Sequence, residues 1–132
     1  MSKLLFDSFA LLRFFQKETG GAKVKDLLKE AIARQTPCLI NAINLGEIIY
    51  ITQRRLGEQK KLEVFIHIQR MGFTILPCPN DLIFRAAELK ARYPISYADA
   101  FALASAMEHS ADLITGDPEF KMVEHLVNII WV

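Results

Sequence analysis

Four acidic residues stand where carboxylates can do chemistry: Asp7, Glu47, Asp99 and Asp117. Asp7 ends the apolar run Leu4-Leu5-Phe6, and Asp117 follows Leu113-Ile114-Thr115-Gly116. Glu47 falls in the first turn of a helical stretch that opens at Asn44, and Asp99 in the first turn of one that opens at Ser96. Each acid has a modest explanation of its own. Asn44-Leu45-Gly46-Glu47 and Ser96-Tyr97-Ala98-Asp99 resemble capping boxes, in which the acid answers a backbone N–H at a helix start. Asp7 before Ser8, and Asp117 before Pro118, also read as plain N-caps. Capping weakens as an account of the set, because all four acids are expected at one end of a sheet.

Convergence there has an electrostatic consequence. Two carboxylates about 4 Å apart repel by about 4 kcal/mol at an effective dielectric of about 20. Four of them together require protons or a cation among them. Oxygen donors without His or Cys select a hard ion, Mg²⁺ or Mn²⁺. Such ions keep waters and bind phosphate oxygens, so phosphate-ester chemistry is their natural use. Glu119, two residues beyond Asp117, reads as a solvated surface acid, with an extra acid beside Asp117 as the alternative.

The elements that must position these residues follow from hydrophobic periodicity. Short apolar runs predict strands over 3–6, 37–40, 73–76, 112–115 and 128–131. Helical spacing predicts helices over 8–16, 22–34, 44–56, 58–71, 80–93 and 96–109, with a helical turn over 118–122. Strands alternating with helices give an α/β fold, a parallel sheet of about five strands with helices on both faces. In such sheets ligands bind outside the carboxyl ends of the strands, where at least three of the acids fall. Ala98, Ala102 and Ala106 recur every four residues, so one face of the 96–109 helix is small enough for close packing.

Composition sets outer bounds. The 132 residues fit a single domain, 1–132. Six glycines, five prolines and 52% hydrophobic residues exclude a disordered or collagen-like chain. A net charge of +1 advertises no bulk attraction to nucleic acid or membrane. Cys38 and Cys78 are too few for a disulfide scaffold and suit a reducing cytoplasm. Only 23% of the residues are charged, so apolar surface should remain for a partner or a second copy. Phe9, Leu11, Leu12, Phe14 and Phe15 exceed what one core-facing stripe can use, and are expected to line such a contact.

Taken in order, Leu5-Phe6-Asp7-Ser8, Asn44-Leu45-Gly46-Glu47, Tyr97-Ala98-Asp99-Ala100 and Leu113-Ile114-Thr115-Gly116-Asp117 resemble the motifs of the PIN-domain ribonucleases. Length and compactness most resemble the VapC-type toxins of toxin–antitoxin modules. The resemblance implies a PIN-like three-layer fold and a metal-dependent endoribonuclease. It implies a cognate antitoxin as partner, a homodimer and RNA as substrate. By position, Asp7, Glu47, Asp99 and Asp117 would be the metal-binding, catalytic acids. Ser8 and Thr115 would be supporting hydroxyls, and Asn44 a polar group near Glu47. An RNA-processing nuclease that is not a toxin, or an inactive binding protein on the same fold, are the alternatives.

Other signals are weaker. Arg54, Arg55, Lys60 and Lys61 bracket Gly57 and read as a solvated turn between helices, with an RNA-backbone contact as the alternative. His67, His109 and His125 show no ligand spacing. An aspartate-nucleophile phosphatase would want a second acid where this chain has Phe9. A phospho-acceptor domain would want its aspartate after a middle strand.

Overall fold

The strand β1 (Leu4–Phe6) is buried along its whole length. Such a strand needs a neighbour on each edge and helices on each face. The computed structural model, which describes residues 2–132, supplies both. After β1 come α1 (Ser8–Phe15), α2 (Gly21–Arg34), β2 (Cys38–Asn41), α3 (Ala42–Leu56) and α4 (Glu58–Arg70). Then follow β3 (Thr74–Leu76), α5 (Asn80–Arg92), α6 (Tyr97–His109), β4 (Asp112–Thr115), a 3₁₀ helix (Pro118–Val123) and β5 (Ile129–Trp131). The five strands form one sheet, parallel throughout, in the order β3-β2-β1-β4-β5.

Side chains alternate across a strand, and that alternation sorts the helices into two layers. Leu5, Leu39, Leu76 and Leu113 pack with α5 and α6 on one face. Leu4, Phe6, Ile40 and Ile114 pack with α1, α2, α3 and α4 on the other. The order of strands reverses between β1 and β4, so their carboxyl ends flank the crevice where a parallel sheet binds ligands. No helix among the described residues is long and apolar enough to cross a membrane.

One helix start differs from expectation. The cap of α3 is Asn41, whose side chain accepts the Ile43 N–H at 2.8 Å, so the helix begins before Asn44. Asn44 is therefore helical, and the Asn44–Glu47 capping box does not form. Helix α5 starts at Asn80 as predicted, after Pro79, which caps it without a side-chain bond.

The surplus aromatics of α1 are largely used within the chain. Phe14 and Phe15 meet edge to face at 5.0 Å, and both rings contact His67 of α4. Phe9 lies beneath the Arg13 guanidinium at 4.4 Å. The close α1–α2 turn depends on glycine: Gly20 has φ 92°, and a Cβ on Gly21 would meet the Arg13 carbonyl oxygen at 2.6 Å.

Helix α6 is buried from Asp99 through Ala106 and packs against the sheet, α5 and α3. Small side chains permit that approach. Ala102→Leu is expected to destabilise the protein by about 1–3 kcal/mol, because Ala102 is fully buried and the core has no room for extra carbons. Chemical denaturation measures the effect, and an unchanged midpoint would contradict this packing.

Candidate functional site

The crevice between β1 and β4 is built from strand ends and helix starts. Asp7, 1% exposed, leaves β1 and caps α1 by accepting the Ala10 N–H on Oδ1 at 2.8 Å. Its Oδ2 accepts the Thr115 hydroxyl at 2.5 Å, from the end of β4. Thr115 Oγ1 in turn accepts the Asp117 N–H at 3.0 Å. Asp117 Oδ1 accepts the Glu119 N–H at 2.9 Å, which folds the start of the 3₁₀ helix back on itself. On α6, Ser96 Oγ accepts the Asp99 N–H at 3.1 Å. On α3, Glu47 Oε1 accepts the Ser8 hydroxyl at 2.7 Å.

These short bonds carry the carboxyl groups toward one another. Oxygens of Asp99, Asp117 and Glu119 all lie within 4.8 Å. Asp99 Oδ2 is buried with no hydrogen-bond partner. Its surroundings explain this, because carboxylates only accept. The salt bridges among the described residues join Arg34 to Glu30 and Lys60 to Glu63, so none neutralises this cluster. The pKa of Asp7 is pushed up to about 7, chiefly by burial. The Thr115 and Ala10 bonds oppose that shift, while the charges of Asp117 and Glu47 add to it. The pKa of Asp99 is pushed up to about 9 by burial first, then by the adjoining Glu119 carboxyl and the charges of Asp117 and Asp7.

The structure brings Asp99 and Asp117 together with Glu119, sets Asp7 near enough for its charge to act on Asp99, and bonds Glu47 to Ser8, the residue after Asp7. The hydroxyls of Thr115 and Ser8 donate to the carboxylates of Asp7 and Glu47. Asn44, one turn before Glu47 on α3, is buried and donates from Nδ2 to the Ala98 carbonyl at 3.2 Å, and so fastens α3 to the first turn of α6. Glu119 is the member that sequence reading set aside as solvated surface. The signal for it was an Asp cap two residues upstream, since an Asp that accepts the i+2 N–H turns that residue back toward itself. Cys38 is no rival nucleophile, because burial pushes its thiol up to about 11. The all-oxygen donor set and its uncompensated charge fit a hard divalent cation such as Mg²⁺ or Mn²⁺.

Protons offset part of the charge in the fold. Asp7 and Asp99 hold protons in the fold at pH values where an unfolded aspartate, with a pKa of about 3.9, has lost them. The folded state then binds more protons than the unfolded one, so stability falls as pH rises from about 4 through about 7 and toward about 9. Chelator-treated protein is expected to lose on the order of 3 kcal/mol between about pH 5 and pH 8, and excess Mg²⁺ should restore most of it. Thermal melts across that window test this, and a flat metal-free profile would contradict it.

No curated protein sequence matches the chain significantly. Among solved structures, VapBC2 from Rickettsia felis, bound to a DNA fragment from its promoter, aligns with a TM-score of 0.78 at 17% identity, covering 98% of each chain. VapC20 from Mycobacterium tuberculosis, a sarcin-ricin loop cleaving toxin, aligns with a TM-score of 0.75 at 16% identity, covering 92% of this chain and 95% of that one. A toxin–antitoxin complex from Klebsiella pneumoniae aligns with a TM-score of 0.72 at 22% identity, over 97% and 96% of the two chains. At such identities the likeness establishes the fold, that of VapC-type proteins. The PIN domain model matches residues 4–126, nearly the whole chain, which therefore belongs to the PIN domain family.

Proposed function

We propose that residues 1–132 act as one metal-dependent endoribonuclease, the toxin of a toxin–antitoxin pair, with Asp7, Glu47, Asp99 and Asp117 as its catalytic acids. The observation that carries this reading is the buried, partnerless Asp99 Oδ2 among carboxylates that no Lys or Arg neutralises. Family membership and the fold's likeness to a toxin that cleaves the sarcin-ricin loop support RNA as the substrate. Asp99, Asp117 and Glu119 would hold a Mg²⁺ or Mn²⁺ ion, with Asp7 and Glu47 completing the acidic wall. When bound, such an ion supplies Lewis acidity, making water a stronger acid and offsetting charge on a phosphodiester.

The remaining work falls to the chain's own residues. Thr115 Oγ1 and the Ala10 N–H fix both oxygens of Asp7, leaving it little freedom to turn away. Ser8 orients Glu47 from the facing helix. Asp99, its pKa raised chiefly by burial, would hold a proton near neutral pH without a cation and would offer a carboxylate oxygen to one. Asp7 and Asp99 are buried, whereas Glu47, Asp117 and Glu119 are half-buried, so the site opens to a polymeric substrate on one side.

A partner has a place to dock. Ile32 of α2 is 62% exposed, and with Ile66, His67, Arg70 and Met71 of the α4 region it lines a groove of about 620 Å³. It adjoins Phe14 and Phe15 through His67. An antitoxin segment with apolar anchors suits that groove. Complexes of toxin with antitoxin among the structural neighbours favour the same occupant. A homodimer and a cytoplasmic setting belong to this reading, the latter in keeping with the free thiols of Cys38 and Cys78.

Asp99→Asn tests the reading. It is expected to abolish RNA cleavage and, in metal-free buffer at pH 7, to raise stability by about 1–4 kcal/mol. With Mg²⁺ or Mn²⁺ present the order reverses, because the native chain gains binding free energy that the variant lacks. Undiminished cleavage, with melts that ignore metal, would overturn it.

A further inference from the structure

The solvent-facing stripe of α3 begins at the acidic site and ends in cations. Ile43, Gly46, Glu47, Tyr50 and Arg54 recur at three- and four-residue spacing and share one face of the helix. All but half-buried Glu47 are exposed. Glu47 and Arg54 are seven residues apart, about 10 Å along the helix axis.

Three residues of the stripe have no evident use inside the chain. A Cβ on Gly46 would meet nothing within 4 Å, and its φ needs no glycine. Glycine inside a helix weakens it relative to alanine, so neither packing nor conformation accounts for it. Bare backbone does allow a ligand to press close against the helix, beside Glu47. Tyr50 is 47% exposed, with the Arg54 guanidinium 5.4 Å from its ring centroid. Arg54 has no acidic partner among the described salt bridges, whereas its neighbours are engaged: Arg55 with Gln16 and Lys60 with Glu63.

Resting on the nuclease reading above, we propose that this face of α3 is the track along which single-stranded RNA reaches the acidic site. The RNA backbone lies against Gly46, a base stacks on Tyr50, and Arg54 neutralises a phosphate beyond it. Aromatic stacking joined to a cation is how proteins hold single strands without reading sequence. A second copy of the chain is a poorer occupant, because Glu47, Gln53 and Arg54 interrupt the apolar residues of this face.

The test follows a fluorescein-labelled single-stranded RNA of mixed sequence by anisotropy, with the full chain in EDTA so that binding is read without cleavage. Tyr50→Ala is expected to weaken binding about 10-fold. Arg54→Gln should make the logarithmic salt dependence shallower by about 0.7. Gly46→Ala should raise the melting temperature yet lower affinity severalfold, a pairing that a merely structural glycine cannot produce. Native-like binding by all three variants overturns the track, as does failure of the native chain to bind this RNA. Light scattering that shows a changed oligomeric state with RNA affinity intact assigns the face to self-association and also overturns it. Tyr50-dependent binding by a chain that no metal makes cleave RNA removes the nuclease reading and keeps the track. Metal-dependent cleavage alongside native affinity in every variant does the reverse.

Discussion

Carboxylates drawn together in a part-buried crevice need something positive between them, and this fold is arranged around that need. Asp7 leaves the central strand, Asp99 opens the most deeply buried helix, and Asp117 and Glu119 follow the strand next to the centre. Asp7 and Asp117 are held through their carboxyl oxygens, and Asp99 and Glu119 through their backbone N–H groups, so moving these segments apart breaks a cap or a strand end. Helix starts at α1 and α6 turn their partly positive ends toward the cluster, which offsets some of the charge. Offset is not neutralisation. Asp99 still has an oxygen with no donor, and burial still lifts both buried acids well above the ordinary carboxylate range.

Capping and metal binding turn out to be compatible descriptions of the same residues. Asp7 and Asp117 do cap the helical segments they precede, and Ser96 caps α6 through the Asp99 N–H. A cap contributes about 1 kcal/mol. Bringing two carboxylates to contact distance costs about 4 kcal/mol at moderate dielectric. Caps dispersed over the surface would give the first benefit without the second cost. Their concentration at the sheet's switch point is therefore what calls for a functional account.

Much of this was legible in the sequence, because apolar runs followed directly by an acid mark the carboxyl ends of buried strands. The parallel five-stranded sheet and its two helical layers followed from alternation of strands and helices. What escaped notice depended on side chains acting over two or three residues. Asn41 lay between the predicted strand and the predicted helix, yet its side chain starts α3 early and turns the Asn44-to-Glu47 spacing from a cap into two helical positions one turn apart. Asn44, freed from capping, bridges to α6 instead. Glu119 sits in a Pro-Glu pair that reads as surface turn, and only the Asp117 side chain draws it inward. The α1 aromatics looked like surplus because the long α3–α4 hairpin that returns His67 to them is a tertiary event.

If the acidic cluster exchanges protons for a cation, binding the cation must release protons. Calorimetric titration of the metal-free chain with Mn²⁺ near pH 7, repeated in buffers of different ionisation enthalpy, counts them directly. The account predicts saturable binding that releases close to one proton or more per ion, since Asp99 and a share of Asp7 are protonated beforehand. Absence of binding at millimolar Mn²⁺, or binding that releases no proton, would contradict it.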